Sequence, residues 1–356
     1  MRVTAAALVG VLCLWTHAAA ENSPSLQVEN PPSLQVENPP SVQMEDAPSL
    51  QMETPPPLQV ENPPSLQVDY LCEKIDRKLS SVTEEECLGA GLQPSGAVSN
   101  RETTLAYRDF LPETGKPVGR VLLVGGIHGD EYSSVSVVFK WVELLKDNHG
   151  SQFHWRVVPL LNPDGLLRPP NESQRMNENG VDLNRNFPTP NWETDAPKYW
   201  IERTRRNKRR YPGPAALSEP ESAWLAEQIE TFKPDAVVSV HAPHGIVDFD
   251  GPKLPPDNLG PLELRLLGTY PGSMGRFIGV HMGIPMLTVE LESAGRMPDK
   301  GDINDIWLDM VGWLESKVSP VNAALNGDGT EATISAPAAS LIQAPPQDGE
   351  KDTKPN

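Results

Sequence analysis

Cysteine, basic residues and long apolar runs are all scarce in this chain of 356 residues. There are 30 Lys and Arg residues against 48 Asp and Glu residues, which gives a formal net charge of −18. A chain this acidic repels a phosphate backbone, so nucleic acid is not expected as a partner. The apolar run AAALVGVLCLW near the N-terminus is shorter than the roughly 20 residues that a membrane-spanning helix needs.

The three cysteines all lie in the first quarter of the chain. Cys13 belongs to the apolar run, which ends in HAAA, so residues 1–20 have the pattern of a secretory signal peptide. We therefore expect an exported protein, periplasmic or extracellular, without a membrane span after signal cleavage. Cys72 and Cys87 then either form a disulfide or stay as two buried thiols. Because no further cysteine is left, a zinc site in this chain has to use histidine and carboxylate ligands.

The repeats and the low-complexity tail limit the folded part of the chain to its middle. Residues 25–68 repeat an octapeptide, SLQVENPP in its first copies, and the stalk, residues 21–70, contains eight acidic residues and no basic residue. So short and proline-rich a repeat cannot bury a core, which predicts a disordered, extended stalk. Residues 320–356 are a low-complexity tail that we also expect to be disordered. One sizeable domain is left over residues 71–319, and we expect it to be a monomer.

Strand and helix signals alternate within this domain. RVLLVGG, FHWRVVPLL, DAVVSVH and PMLTVEL are apolar runs typical of buried strands. SSVSVVFKWVELLKD, SEPESAWLAEQIETF and INDIWLDMVGWLESKV have apolar residues at helical spacing. The alternation predicts an α/β fold with a mixed, largely parallel central sheet flanked by helices.

Three of the predicted strands end in residues that bind metals or move protons. His128 and Glu131 follow the first strand, His241 ends the third, and Glu290 ends the fourth. Ligands of open α/β sheets gather outside the carboxyl ends of the strands, so these side chains are expected to meet. Three protein ligands and a water describe a catalytic zinc site. We therefore predict one Zn²⁺ ion on His128, Glu131 and His241, with Asp130 either orienting His128 or facing solvent.

A set of motifs gives a more specific indication. GGIHGDE, NPDG, GVDLNRNFP, the SVH strand end and TVE occur in this order between residues 118 and 318. Together they resemble the zinc carboxypeptidase family, and most of all its murein tripeptide amidase branch. The resemblance implies a zinc metallocarboxypeptidase, a peptide hydrolase, with the metal on the three ligands predicted above.

The resemblance also implies roles for further residues. Glu290 matches the catalytic carboxylate of the family. Arg175 matches the arginine that faces the scissile carbonyl, with Arg168 as the alternative. Asn184 and Arg185 match the pair that binds the terminal carboxylate of the substrate.

Two expected substrate-binding residues lie in the segment TYPGSMG. Many carboxypeptidases place a tyrosine on a mobile loop before a Gly-Ser pair. Tyr270 lies closer to that pair than the family pattern, so it either contacts substrate or packs at the rim. Met274 follows the pair, where the family often sets side-chain preference, and its apolar side chain indicates no preference for charge.

The resemblance and the predicted export indicate cell-wall peptides as substrate, cut between γ-linked D-glutamate and diaminopimelate. Ordinary peptides are an alternative. The recycling amidases of this branch work in the cytoplasm, whereas this chain is expected to be exported. Two other classes stay open. One is an N-acyl amino acid hydrolase like aspartoacylase and succinylglutamate desuccinylase, and the other is a non-catalytic wall-binding protein.

A basic run, RTRRNKRR, stands out in this acidic domain, with six positive residues from Arg203 to Arg210. It follows GVDLNRNFP closely in sequence. The run either borders the cleft, where it attracts acidic peptides or anionic wall polymer, or forms a solvated loop.

Overall fold

The computed structural model describes residues 64–147, 152–169 and 171–318. The predicted signal peptide, the predicted tail and the stalk up to residue 63 lie outside this part of the chain. Across these three ranges, no helix combines the length and the apolar character that a membrane crossing requires.

Strands and helices alternate through most of the described chain. The strands are β1 Gln93–Val98, β2 Thr104–Phe110, β3 Arg120–Val124, β4 His154–Val158, β5 Ala236–His241, β6 Ile246–Asp250, β7 Asn258–Leu259, β8 Leu262–Leu264 and β9 Met286–Glu290. The helices are α1 Pro64–Lys78, α2 Glu84–Gly89, α3 Tyr132–Asp147, the single turn α4 Pro163–Leu166, α5 Trp192–Glu202, α6 Pro220–Phe232 and α7 Lys300–Lys317. A π-helical segment, Gly275–His281, precedes β9.

One nine-stranded sheet runs through the domain, in the order β1-β2-β4-β3-β5-β9-β6-β8-β7. Strands β4, β3, β5 and β9 are parallel to one another. Strand β2 joins this group antiparallel on one side and β6 does so on the other. The predicted α/β fold with a mixed sheet is confirmed, and its parallel part is concentrated at the centre.

The sheet separates two apolar cores. Val121 and Leu123 of β3 belong to one core, whereas Leu122 and Val124 belong to the other. Successive residues of a strand point to opposite faces, so a strand covered on both faces has an unbroken apolar sequence. This explains why β3 shows no alternation of apolar and polar residues. Helices α1, α3 and α7 contribute to the first core and α6 contributes to the second.

The folded domain begins earlier than predicted. Helix α1 starts at Pro64, which corrects the stalk boundary placed at residue 70. Val68, within the supposed stalk, is buried in the first core, so the last repeat already supplies apolar side chains to the fold. Cys72 of α1 and Cys87 of α2 form a disulfide, which decides between the two alternatives for these cysteines.

A buried carboxyl group near the start of α6 makes stability depend on pH. Glu221 is fully buried; its Oε2 accepts a 3.1 Å hydrogen bond from the Asn177 amide. Its Oε1 has no hydrogen-bond partner among the described residues. Burial raises the pKa of Glu221 from 4.5 to about 7. The pKa of Glu221 is higher in the folded state than in the unfolded state, so protonation of Glu221 stabilises the fold. This stabilisation is complete below the unfolded-state pKa and is lost as pH rises through 7.

We expect Glu221→Gln to remove this pH dependence. Relative to the variant, the wild type should lose up to about 3 kcal/mol of its free energy of unfolding between about pH 5 and pH 8. Urea unfolding at both pH values measures the difference. Glu230→Gln, at an exposed position of the same helix, is the matched control and should follow the wild type. Parallel pH profiles for wild type and Glu221→Gln would contradict the prediction.

Candidate metal centre

The three predicted metal ligands lie together at the carboxyl end of the parallel strands. His128 and Glu131 lie between β3 and α3, and His241 ends β5. Nδ1 of His128 is 2.8 Å from Oε1 of Glu131, and Nδ1 of His241 is 3.2 Å from Oε2. The two Nδ1 atoms are 3.2 Å apart, and all three side chains are buried. The predicted convergence of these ligands is confirmed.

Asp182 and Ser239 hold the two imidazole rings from their other side. Oδ1 of Asp182 is 3.2 Å from Nε2 of His128, and Oγ of Ser239 is 3.0 Å from Nε2 of His241. A proton on each Nε2 is donated to these oxygens, which leaves each Nδ1 lone pair for the metal.

This arrangement fits a zinc ion. Two imidazole nitrogens and one carboxylate form the donor set of a catalytic zinc site. The donor atoms all lie within 4.8 Å of one another. His128, Glu131 and His241 therefore form a zinc-binding site.

Sequence reasoning missed Asp182 and Ser239, although both carried a signal. Asp182 is the aspartate of the GVDLNRNFP motif, and Ser239 lies two residues before His241 in the same strand. Residues two apart in a strand share a face. Asp130 does not orient His128, because its Oδ2 accepts a 2.7 Å hydrogen bond from Nη1 of Arg209.

Asp182→Asn is expected to weaken zinc binding about 10- to 100-fold, because partners behind a metal-ligating histidine set its tautomer and basicity. Competition with a chelating dye measures the dissociation constant. Asp130→Asn, which removes the same charge from the neighbour of a ligand, should bind zinc like the wild type. Equal losses in both variants would mean that charge, and not contact with His128, determines the affinity.

Arg175 is buried between two carboxylates of the site. Its Nε donates to Oδ2 of Asp182 at 3.0 Å and its Nη1 to Oε1 of Glu131 at 3.4 Å. Burial lowers the pKa of Arg175, but the two carboxylates outweigh it and raise the value above the ordinary one. Arg168, the alternative, forms its 2.7 Å hydrogen bond with Glu178. The structure thus places Arg175, a permanent positive charge, beside the ligands.

Glu290 ends β9 next to His241, its partner in the parallel register. Its side chain is 8% exposed, and Oε2 has no hydrogen-bond partner in the described part of the chain. The backbone N–H of His244 donates to the carboxylate. Burial, together with the negative charge of Glu131, raises the pKa of Glu290 well above its ordinary value. A carboxyl group in this setting is suited to take up a proton.

Asn184 and Arg185 lie in a single 3₁₀ turn, Leu183–Arg185, whose N-cap is Asp182. The guanidinium carbon of Arg185 lies 4.5 Å from the ring centroid of Tyr270. Burial lowers the pKa of Arg185 to about 10, so it stays positive at neutral pH. Tyr270 therefore reaches the predicted carboxylate-binding arginine despite its short spacing from the Gly-Ser pair.

Met274 does not lie where a pocket residue was expected. Its side chain is fully buried in the second core, together with Phe187 and Phe277. Its backbone N–H donates to Oδ1 of Asn184 at 2.8 Å. Met274 thus orients Asn184 through the backbone, and its side chain packs in the core.

Asn162 explains the NPDG motif. Its side-chain amide donates to the backbone oxygens of Ile127 and Arg175, each at 3.2 Å, and its Oδ1 accepts from the N–H of Gly165 at 2.8 Å. Ile127 directly precedes the ligand His128. One side chain therefore ties the ligand loop to the segment that carries Arg175.

Comparison with known proteins agrees with this site. Residues 97–249 match the family described as zinc carboxypeptidase. Murein peptide amidase A of Vibrio campbellii is 31% identical over 189 residues, which cover 51% of this chain and 73% of that protein. Murein peptide amidase A of Escherichia coli K12 is 36% identical over 129 residues, 36% of this chain. The chain spans 50% of the length of this second relative.

The solved structures that are similar to this chain include a murein-tripeptide amidase and a carboxypeptidase. Murein-tripeptide amidase MpaA from Escherichia coli O157 has 25% sequence identity and a TM-score of 0.44, and the match covers 60% of this chain and 89% of that one. Carboxypeptidase A from Helicoverpa armigera has 16% identity and a TM-score of 0.48, with 69% and 71% covered.

Proposed function

Since the chain belongs to the zinc carboxypeptidase family, we propose that it is a zinc-dependent carboxypeptidase that hydrolyses the C-terminal amide bond of cell-wall peptides. The observation that carries the proposal is the convergence, at one end of the sheet, of the three metal ligands with Glu290 and Arg175. A buried carboxyl group beside metal ligands and a fixed positive charge are the groups that amide hydrolysis needs.

Each of these groups has a task in amide hydrolysis. Zinc, when bound, supplies a Lewis acid and lowers the pKa of a water molecule. Glu290 takes the proton of the attacking water on its carboxylate and hands it to the leaving amine. Arg175 donates N–H groups to the oxygen on which negative charge develops.

Recognition of a free C-terminus falls to Arg185 and Asn184. A guanidinium is a planar fork that pairs with a carboxylate through two parallel hydrogen bonds. Because Oδ1 of Asn184 accepts from the Met274 N–H, its Nδ2 points the other way and serves as a donor to the same carboxylate. This pair explains why an enzyme of this design removes the last residue and does not cut within a chain.

For the substrate, we propose the bond between γ-linked D-glutamate and diaminopimelate, and for the location, the periplasm or the extracellular space. The names of the relatives, murein peptide amidase A, support the substrate. The signal-peptide pattern of residues 1–20 supports export. The Cys72–Cys87 disulfide supports it as well, because disulfides persist in oxidising compartments.

An activity assay on the zinc-loaded full chain tests the proposal. The substrates are L-Ala-γ-D-Glu-meso-diaminopimelate, L-peptides with a free C-terminus and a panel of N-acyl amino acids. Release of diaminopimelate by the wild type, and not by Glu290→Gln, is the expected result. Cleavage of the L-peptides alone would overturn the proposed substrate. Turnover of the N-acyl amino acids alone, or none at all with zinc bound, would overturn the peptidase activity.

A further inference from the structure

Residues 203–210, here called the basic segment, are left without a task by the proposed function. Six of these eight residues are basic, in a chain whose acidic residues outnumber its basic ones by 48 to 30. Arg203, Arg205, Arg206 and Lys208 are exposed, and none of them forms an ion pair with another residue that the structure describes. The segment therefore presents a concentrated positive charge to solvent.

The basic segment is an ordered turn. The N–H of Arg206 donates to the backbone oxygen of Trp200 at 2.9 Å, and the indole N–H of Trp200 donates to the backbone oxygen of Asn207 at 2.8 Å. Oδ1 of Asn207 accepts from the N–H of Arg209 at 2.9 Å. The rings of Trp200 and Tyr211 pack at a centroid distance of 4.9 Å. These contacts order the backbone from which the basic side chains project.

Two arginines of the basic segment have a left-handed backbone conformation, which residues other than glycine rarely adopt. Arg205 and Arg206 have φ values of 53° and 58°, in the left-handed region. Glycine or asparagine forms such a turn at lower cost. The turn by itself therefore does not explain arginine at both positions, and unfavourable backbone of this kind is concentrated at functional sites.

The basic segment lies beside the metal centre. Nη1 of Arg209 donates to Oδ2 of Asp130 at 2.7 Å, and Asp130 directly precedes a metal ligand. The residue after the segment accepts a 2.8 Å backbone hydrogen bond from Asp182. Burial lowers the pKa of Arg185, and the nearby positive charge of Arg210 lowers it further. The C-terminal end of the segment is thus attached to residues of the site.

We propose that the basic segment binds a second carboxylate of the substrate, on the N-terminal side of the scissile bond. The inference rests on the proposed function, in which Arg185 takes the terminal carboxylate. In a γ-linked D-glutamyl peptide the chain continues through the glutamate side chain, so the α-carboxylate of that residue is free and lies on the N-terminal side of the bond to be cut. Arginine pairs with carboxylates through two parallel hydrogen bonds, and several such side chains lie along the segment.

A matched pair of peptides tests the proposal. L-Ala-γ-D-Glu-meso-diaminopimelate has the free α-carboxylate, and the corresponding γ-D-isoglutaminyl peptide has a neutral amide in its place. At low ionic strength the wild type should prefer the acid by about threefold to tenfold in kcat/KM. The preference is modest because each exposed ion pair between a basic side chain and the carboxylate contributes little binding free energy. The triple variant Arg205→Gln, Arg206→Gln, Lys208→Gln should lose this preference and retain its kcat/KM for the amide. High salt should reduce the wild-type preference.

A second triple variant controls for net charge. Lys116→Gln, Lys253→Gln and Lys300→Gln remove the same charge from exposed positions elsewhere, and this protein should keep the wild-type preference. The proposal is wrong if all three proteins show the same ratio of acid to amide, or if the control loses the preference as the first variant does.

A binding experiment separates this inference from the proposed function. Calorimetry measures the affinity for both peptides of the full chain carrying Glu290→Gln, with and without the basic-segment substitutions. Binding of the acid several-fold tighter than the amide, lost with the basic segment, supports the inference even where the wild type hydrolyses neither peptide. Equal affinities, or no binding of either peptide, overturn it even where hydrolysis occurs. If inorganic polyphosphate binds through the segment while the two peptides bind alike, the segment is a general polyanion surface and the proposal fails.

Discussion

Glu290→Gln is expected to lower kcat by about 10²- to 10⁴-fold, the range for loss of a general acid–base group. Glutamine has nearly the same shape but cannot take up a proton and pass it to the leaving amine. The substitution removes a buried carboxyl group whose Oε2 has no hydrogen-bond partner among the described residues, so the fold should tolerate it. Steady-state kinetics on the diaminopimelate peptide, with the zinc content of each protein determined alongside, measures the effect.

The matched control is Glu292→Gln, two residues further along the chain at an exposed position. It should keep the wild-type kcat. Wild-type turnover by a zinc-loaded Glu290→Gln protein would show that another group carries the proton, and the mechanism proposed for this site would have to be abandoned.

Gly129→Ala, within the HGDE motif, is expected to abolish tight zinc binding and to destabilise the domain. A Cβ on Gly129 would lie 2.2 Å from the backbone carbon of Gly165 and 2.3 Å from the backbone nitrogen of Leu166. Backbone atoms cannot turn aside as a side chain does, so the loop that carries His128 and Glu131 has to shift. Overpacking of this kind costs about 1 to 3 kcal/mol, and sometimes more. Urea unfolding and zinc stoichiometry measure the two effects.

Gly312→Ala provides the comparison. Gly312 lies within α7, and an added Cβ there meets nothing within 4 Å. Alanine is favoured over glycine in a helix by up to about 1 kcal/mol, so this variant should be as stable as the wild type or slightly more stable. If Gly129→Ala bound zinc with unchanged stoichiometry and affinity, the close approach of the two loops would not be what positions the ligands.

The central strands and the ligand set were predictable for the same reason. A strand buried on both faces has an unbroken apolar sequence, so β3, β5 and β9 were evident, and so were the polar residues at their ends. The outer strands were not predicted. β6 reads IVDFD, and its two acidic residues mask the strand pattern even though it pairs with β9 beside Glu290.

Contacts between distant segments were harder to predict. Nothing in the order of residues indicates that Arg175 lies between Asp182 and Glu131, or that Met274 points its side chain into the core and its N–H to Asn184. Such contacts depend on how loops of different strands pack, which local spacing does not describe. The same holds for the basic segment, whose sequence indicates charge but not its position beside Asp130.

The sequence by itself determined the class of fold, the donor types of the metal site and the residues that supply them. These follow from local periodicity and from the rule that parallel strands present their carboxyl ends at one edge. The tertiary structure alone decided that Asp182 and Ser239 orient the two histidines, that Cys72 and Cys87 are joined, and where the domain begins. Each of these depends on a distance across the fold, and such distances are set by sheet register and helix packing.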